Sequence, residues 1–132
     1  MSQENVENVR RGIDAWNRDD LYEWLAGFAP EAELHTTGRF VDQGVYRGRA
    51  GLARYWAEIH EDMEELSLSV SDMRASGDKV FMAVTGRGRG KRSGVPIEGP
   101  LWFVTTFRDG LAVRVESYVD SADALEAARL RE

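Results

Sequence analysis

Two side chains in the sequence could transfer protons near neutral pH. His35 is a candidate general base, because an imidazole populates both its neutral and its charged form in that range. Glu116 is a candidate carboxylate partner for it. Such a pair would support isomerisation, cyclisation or hydrolysis without a cofactor. A structural or solvated histidine is the alternative interpretation, because the residues around His35 do not indicate a fixed partner.

Other kinds of chemistry are restricted by composition. The 132 residues include no cysteine, which excludes disulfides, thiolate metal sites and cysteine nucleophiles. The two histidines, His35 and His60, lie too far apart for a His-x-x-x-His pair. We therefore predict no metal and no cofactor, and we expect His60 to be solvated.

The overall charge limits the partners that the chain can bind. A formal net charge of −6 disfavours binding to a nucleic-acid backbone, which requires a basic surface. The basic cluster at 87–92 is short and lacks aromatic residues, so we interpret it as a solvated hairpin loop. The first residues do not form a secretory signal and no apolar run could span a membrane, so we expect a cytoplasmic protein without a membrane partner.

Apolar residues at helical spacing predict three helices in the first half of the chain. The first covers about 3–18, the second is capped by Asp19 or Asp20 and ends before Pro30, and the third covers about 50–65. Their apolar stripes are Val6, Val9, Ile13 and Trp16; Leu21, Trp24, Leu25 and Phe28; and Leu52, Tyr55, Trp56, Ile59 and Met63.

Strands are predicted between and after these helices. Residues 31–37 form a short strand, and 38–49 have the composition of a loop, in which Arg39 and Asp42 would either contact a ligand or simply be solvated. In the second half, strands are predicted at 66–70, 79–85, 100–107 and 111–119, before a final helix at 122–130. The Asp-Gly pair at 109–110 favours a tight hairpin turn. Helices followed by hairpin-linked strands indicate an α+β domain with a cavity between helices and sheet.

Four sequence stretches, which together extend over nearly the whole chain, are typical of one superfamily. They are Ala15-Trp16-Asn17 with Asp20; 28–34; 46–52 with Tyr55-Trp56; and 106–110 followed by 113–115 and 118–120. In these stretches the chain resembles the nuclear transport factor 2-like superfamily, in its SnoaL-like and ketosteroid-isomerase-like branch. The resemblance implies one domain over 1–132, a cone-shaped, cystatin-like roll. In it, three N-terminal-half helices wrap a curved, mainly antiparallel (mixed) sheet around an apolar pocket.

The resemblance does not extend to the groups that perform steroid isomerisation. The tyrosine donor of such isomerases falls near Gly12, the carboxylate base near Thr36 and the protonated aspartate near Phe103. A shift of one residue would place His35 in the base position, but no single shift restores all three groups. We therefore predict that the chain is not a steroid isomerase. The acid/base aspartate of the cyclase branch corresponds most nearly to Ser117, and serine without a basic partner transfers protons poorly.

The predicted pocket combines the helix stripes with one face of the sheet. The resemblance favours the face of the last strand that carries Val115 and Ser117, whereas the opposite parity would bring Glu116 and Tyr118 into the pocket. The ten residues predicted to line it are Ile13, Trp16, Phe28, Thr36, Tyr55, Trp56, Ile59, Phe103, Val115 and Ser117.

Three functional hypotheses follow from this prediction. The leading one is a protein that binds an apolar or aromatic small molecule. The first alternative is a cofactor-free isomerase, cyclase or hydrolase that uses His35 and Glu116, and the second is a protein–protein adaptor. On the opposite sheet face, Trp102, Val104 and Tyr118 would form an exposed apolar surface, which predicts a homodimer through the sheet.

Overall fold

A computed structural model describes residues 2–37 and 43–130 of the chain. Arg39 and Asp42, the two predicted loop contacts, lie outside the described residues. The described part forms four helices, α1 (Ser2–Asn17), α2 (Leu21–Ala26), α3 (Gly48–Asp62) and α4 (Ser121–Ala128). It also forms six strands, β1 (Phe28–Thr36), β2 (Gly44–Arg47), β3 (Met63–Ser76), β4 (Lys79–Gly90), β5 (Pro96–Arg108) and β6 (Leu111–Tyr118).

The strands form one mixed sheet in the order β2-β1-β6-β5-β4-β3. The β1–β6 pair is parallel and the other neighbours are antiparallel. The sheet is curved and open, and helices α1, α2 and α3 pack on its inner face. The predicted α+β class with three wrapping helices is confirmed. No helix in the described ranges is long and apolar enough to cross a membrane.

The outer face of the sheet, which points away from α1 to α3, is covered by the last helix. Asp120 caps α4 by accepting hydrogen bonds from the N–H groups of Ala122 and Asp123. The α4 residues Ala124 and Leu125 are buried against Val104, which has 0% exposure. The predicted exposed apolar surface is therefore wrong at this position, because an element of the same chain covers it. The homodimer itself stays a prediction without that support.

The start of the sheet also differs from the prediction. The second helix ends at Ala26, with Gly27 as its C-cap, so Phe28 belongs to β1 and not to the helix stripe. Pro30 lies inside β1, where the pairing with β6 is irregular and no ladder hydrogen bond requires its missing N–H. Part of the predicted loop forms β2, which pairs with the end of β1.

The basic cluster is not simply a solvated loop. Arg87 and Arg89 lie within β4, and each forms a cross-strand ion pair, with Glu98 at 2.9 Å and Glu65 at 3.0 Å. These opposite charges offset the cost of placing two arginines two residues apart on one strand. Only the end of the cluster, from residue 91, belongs to the turn between β4 and β5.

The hairpin between β5 and β6 forms as its sequence predicts. Asp109 and Gly110 have φ angles of 54° and 80°, the left-handed conformations that a tight antiparallel turn requires. This turn closes one end of the sheet and lies beside the first half of α1, where it takes part in the site described below.

Candidate functional site

An apolar cavity of about 120 Å³ lies between helices α1 to α3 and the inner face of the sheet. Its lining combines aliphatic and aromatic side chains from all three helices with residues of five strands. A cavity of about 150 Å³ in another protein holds one benzene molecule, so this volume is close to that of a single six-membered ring.

Seven of the ten residues predicted to form the pocket line this cavity. They are Ile13, Trp16, Phe28, Tyr55, Ile59, Phe103 and Val115. The parity that the resemblance favoured for β6 therefore holds at Val115. A contact of these residues with a ligand stays a prediction.

The other three predicted residues are not part of the lining. Trp56 packs behind Trp16, with ring centroids 4.8 Å apart, and is 7% exposed. The hydroxyl of Thr36 accepts a hydrogen bond from the Gly44 N–H at 2.9 Å, near the end of β1. The hydroxyl of Ser117 donates to the carbonyl of His35 at 3.1 Å. The Trp56 ring and the two hydroxyls therefore contact neighbouring parts of the protein and do not line the cavity.

His35 and Glu116 lie on the outer face and not in the cavity. They are opposite each other in the parallel β1–β6 register, one residue along from the cavity-lining pair Leu34 and Val115. Successive side chains of a strand point to opposite faces. Glu116 also pairs with Val104, which packs under α4. The predicted role of His35 and Glu116 as an acid–base pair in the pocket therefore has no support in this geometry.

On the outer face, His35 has a carboxylate partner that the sequence analysis missed. Its Nε2 lies 3.0 Å from Glu33 Oε1, and Nε2–H must be the donor because a carboxylate only accepts. This hydrogen bond, together with the charge of Arg47, lowers the pKa of Glu33. The pair is separated by two residues on one strand, a spacing that already places both side chains on the same face.

Tyr118 belongs to the same outer face. Burial raises the pKa of its hydroxyl to about 12, and the nearby carboxylate of Glu116 adds to the shift. The two groups are 3.3 Å apart, with the hydroxyl as donor. Within the described ranges, no three histidine, aspartate or glutamate side chains come together as metal ligands.

An aromatic cluster forms the wall of the cavity on the helical side. Trp16 and Trp24 meet edge to face at 5.6 Å, and Tyr55 lies 6.0 Å from Trp16 and 6.3 Å from Trp24. Phe28 extends the cluster to β1, 5.1 Å from Trp24. Ring pairs at these separations contribute stabilisation beyond the area that they bury, so the contacts within the cluster stabilise this wall.

His60 supports this aromatic wall from behind, contrary to the prediction that it is solvated. Its ring stacks on Trp56 at 4.7 Å and its Nδ1 lies 2.7 Å from the Trp56 carbonyl oxygen. Nε2 is 3.2 Å from a carboxylate oxygen of Asp19. The corner between α1 and α2 therefore packs over the end of α3, and this packing covers a residue that the helical pattern placed at a charged rim.

Two polar side chains in the cavity, Asn8 and Thr105, were missed by the sequence analysis. Both are buried, with exposures of 8% and 6%. Asn8 Nδ2 donates to the carbonyl oxygens of Gly27 and Gly110, each at 3.1 Å. A weak signal existed for Thr105, which shares strand parity with Phe103.

Tyr55 supplies a third polar group. Burial raises the pKa of its hydroxyl, so the group is neutral over the whole physiological range. Its ring contacts Trp24 and Tyr46, and the residue is part of the cavity lining. The hydroxyl forms no hydrogen bond with any described residue and is free to bind a ligand.

Sequence and structure comparisons place the chain among known proteins. The family model for the SnoaL-like domain matches residues 9–115. An NTF2-like protein from Burkholderia xenovorans LB400 is 28% identical, with a TM-score of 0.76 and 97% of each chain covered. An NTF2-like protein of unknown function from Burkholderia pseudomallei K96243 is 24% identical, with a TM-score of 0.81 over 97% of this chain and 98% of the other.

A third similar structure comes from a co-crystallisation with a small organic molecule. TerC, co-crystallised with polyporic acid, is 22% identical, with a TM-score of 0.80 over 96% of this chain and 98% of that chain. Among curated proteins, none matches the sequence. The resemblance identified from the sequence is confirmed.

Proposed function

The chain belongs to the SnoaL-like domain family, and on that premise we propose that it binds a small apolar or aromatic molecule in the cavity between α1 to α3 and the sheet. The observation that carries the proposal is a cavity of about 120 Å³ whose lining is mostly apolar. The structure of TerC with polyporic acid is consistent with small-molecule binding in this fold.

The expected affinity follows from the size of the cavity. One aromatic ring buries roughly 200 Å² of apolar surface, equivalent to about 5 kcal/mol at about 25 cal/mol per Å². Restriction of the ligand's motion offsets part of this gain. We therefore expect a dissociation constant of about 0.3–1 mM for a single unsubstituted ring.

Gly12 is a position at which a substitution can change the cavity volume. It lies within α1 and lines the cavity, although glycine inside a helix costs about 0.5–1 kcal/mol relative to alanine. A Cβ placed on Gly12 would meet Trp24 Cδ1 at 4.0 Å, an ordinary contact, so no clash excludes alanine. A larger side chain at this position would extend into the cavity.

A pair of Gly12 variants tests the proposal with toluene as the probe. In the wild type, toluene at ten times its dissociation constant should stabilise the fold by about 1.4 kcal/mol and raise the melting temperature by several degrees. Gly12→Ala should keep this response, whereas Gly12→Leu should lose it while remaining folded by circular dichroism. A wild type without a saturable response to toluene would contradict the proposal.

The geometry favours binding over proton transfer. The polar side chains of the described lining include the amide of Asn8 and the hydroxyls of Tyr55 and Thr105. Ser67 on β3 and Arg87 on β4 are also polar lining residues. Arg87 is directed away, because its guanidinium bonds Glu98 and Ser69. Amide and hydroxyl groups orient a ligand by hydrogen bonding. His35 and Glu116 lie on the outer face of the sheet, so the proposed function does not include them.

A further inference from the structure

Two polar atoms of buried residues at one end of the cavity have unused hydrogen-bonding capacity. Asn8 Oδ1 and Thr105 Oγ1 belong to side chains more than nine-tenths buried, and both residues line the cavity. Within the described part of the chain, neither atom forms a hydrogen bond. Polar atoms on buried residues usually have a partner in the protein, in ordered water or in a ligand, so such a pair facing a mostly apolar cavity requires an explanation.

The orientation of the Asn8 amide is fixed by its partners. Its nitrogen is bound by two carbonyl oxygens, those of Gly27 and Gly110, and carbonyl oxygens can bind only the N–H₂ end. The amide therefore cannot rotate by 180° without losing both hydrogen bonds. Oδ1 lies beside the Cα of Gly27, where an added Cβ would approach it to 2.9 Å. The missing side chain at Gly27 thus leaves space for this acceptor on the cavity wall.

Thr105 lies at the same end of the cavity. It pairs with Val115 in the β5–β6 register, two residues before Phe107, whose partner is Ala112. The Ala112 N–H donates to the carbonyl of Gly27 at 2.9 Å, the same oxygen that accepts from Asn8. Ala112, Thr105 and Asn8 all line the cavity. One end of the cavity therefore offers a fixed acceptor and a hydroxyl, and the remainder is mostly apolar or aromatic.

We propose that Asn8 and Thr105 select ligands that carry a hydroxyl group on an apolar ring, as in a phenol. The ligand hydroxyl would donate to Asn8 Oδ1 and accept from the Thr105 hydroxyl, and the ring would occupy the apolar remainder. This inference rests on the proposed function and specifies its ligand class. A ligand of the same shape without the hydroxyl would leave both protein groups unpaired, which is the situation in which a site discriminates strongly.

Binding of p-cresol and toluene, which differ in one hydroxyl, tests the inference. Dissociation constants are measured by titration of the ¹⁵N-labelled protein, in which the side-chain amide signal of Asn8 reports on its own contact. The wild type should bind p-cresol about tenfold more tightly than toluene, the gain expected from one or two net hydrogen bonds. The Asn8 side-chain signal should shift with p-cresol and much less with toluene.

Thr105→Val removes the hydroxyl and keeps the branched shape. The variant should fold, because the hydroxyl it loses has no hydrogen-bond partner among the described residues. It should bind toluene as the wild type does and should prefer p-cresol by no more than about threefold. Thr106→Val is the matched control, since Thr106 is the next residue along β5 and is not part of the cavity lining. It should retain the tenfold preference.

The possible results separate this inference from the proposed function. Equal binding of the two compounds by the wild type would overturn the inference and leave the binding cavity intact. A preference that survives Thr105→Val but is lost in Tyr55→Phe would assign the hydroxyl contact to Tyr55 and would also overturn it. Failure of both compounds to bind would overturn the proposed function together with the inference.

Discussion

The side-chain amide of Asn17 forms two hydrogen bonds with the backbone of Leu68. Its Nδ2 donates to the Leu68 carbonyl at 2.9 Å, and its Oδ1 accepts from the Leu68 N–H at 2.8 Å. Leu68 lies on β3, the edge strand of the sheet, and these backbone groups point away from β4. Asn17 therefore takes the position of a missing neighbouring strand, and it joins the last residue of α1 to the sheet beside the cavity.

Asn17→Ala should lower the free energy of unfolding by about 1–2 kcal/mol, because two hydrogen bonds are lost. Urea denaturation measures this change. Amide hydrogen exchange at Leu68 should accelerate specifically, since its N–H becomes exposed at the sheet edge. Arg18→Ala, at the next residue of the chain, is the control. It breaks an exposed ion pair with Asp14 and should leave exchange at Leu68 unchanged. Unaltered exchange at Leu68 in Asn17→Ala would contradict the role of this contact.

Replacing asparagine with leucine at two positions of α1 should change the free energy of unfolding in opposite directions. Asn5 is 4% exposed and its Oδ1 is buried without a hydrogen-bond partner among the described residues. Asn5→Leu keeps the branching of the side chain and removes an unpaired polar group, so the free energy of unfolding should rise by about 1 kcal/mol. Asn8→Leu breaks the hydrogen bonds to Gly27 and Gly110 and should lower it by about 2 kcal/mol. Changes of the same sign in chemical denaturation would contradict the hydrogen-bond assignments.

Much of the helical part of the fold could be predicted from the sequence, and Asn5 and Asn8 show where prediction stops. The apolar stripes located α1 and α3 because a spacing of 3.6 residues is a local property. The role of Asn8 depends on partners 19 and 102 residues away, which no local pattern reveals. An asparagine beside a helix stripe has the same sequence pattern whether it is solvated or buried.

The strands show a similar limit. The sequence predicted only residues 66–70 of β3, which extends over Met63–Ser76. Its pairing with β4 is irregular between Glu64 and Ser67 and again between Val70 and Asp72. Each irregularity shifts the alternation of buried and exposed residues by one, so the period of two is interrupted. The covering of Val104 by α4 was missed for another reason, because the position of a terminal helix on a sheet depends on tertiary packing.

The outer-face pair of Glu33 and His35 predicts a pH dependence of stability. The pKa of Glu33 is lowered in the folded state, chiefly by the hydrogen bond from His35. Its contribution is therefore fully present above the unfolded value of about 4.3 and is lost as the pH falls through the folded value. Between about pH 5 and pH 3, the wild type should lose stability more steeply than Glu33→Gln. Parallel curves from urea denaturation at several pH values would contradict this assignment.

Ligand binding should not depend on the outer face. His35→Gln and Glu116→Gln change groups that lie on the other side of the sheet from the cavity. Both variants should bind toluene with a dissociation constant within about twofold of the wild type, since separated sites behave independently. Calorimetric titration measures the constants. A loss of more than tenfold in either variant would show that these residues reach the ligand and would revive the predicted acid–base role.

The most direct test of the binding cavity locates the ligand by intermolecular nuclear Overhauser effects from the methyl group of toluene to the methyl groups of the protein. Toluene bound in the cavity should give contacts with Ile13, Ile59 and Val115, which line it, and these contacts should disappear in Gly12→Leu. Contacts confined to the exposed Val70, Val95 and Val119 would contradict binding in the cavity, because toluene would then bind the surface and leave the cavity empty.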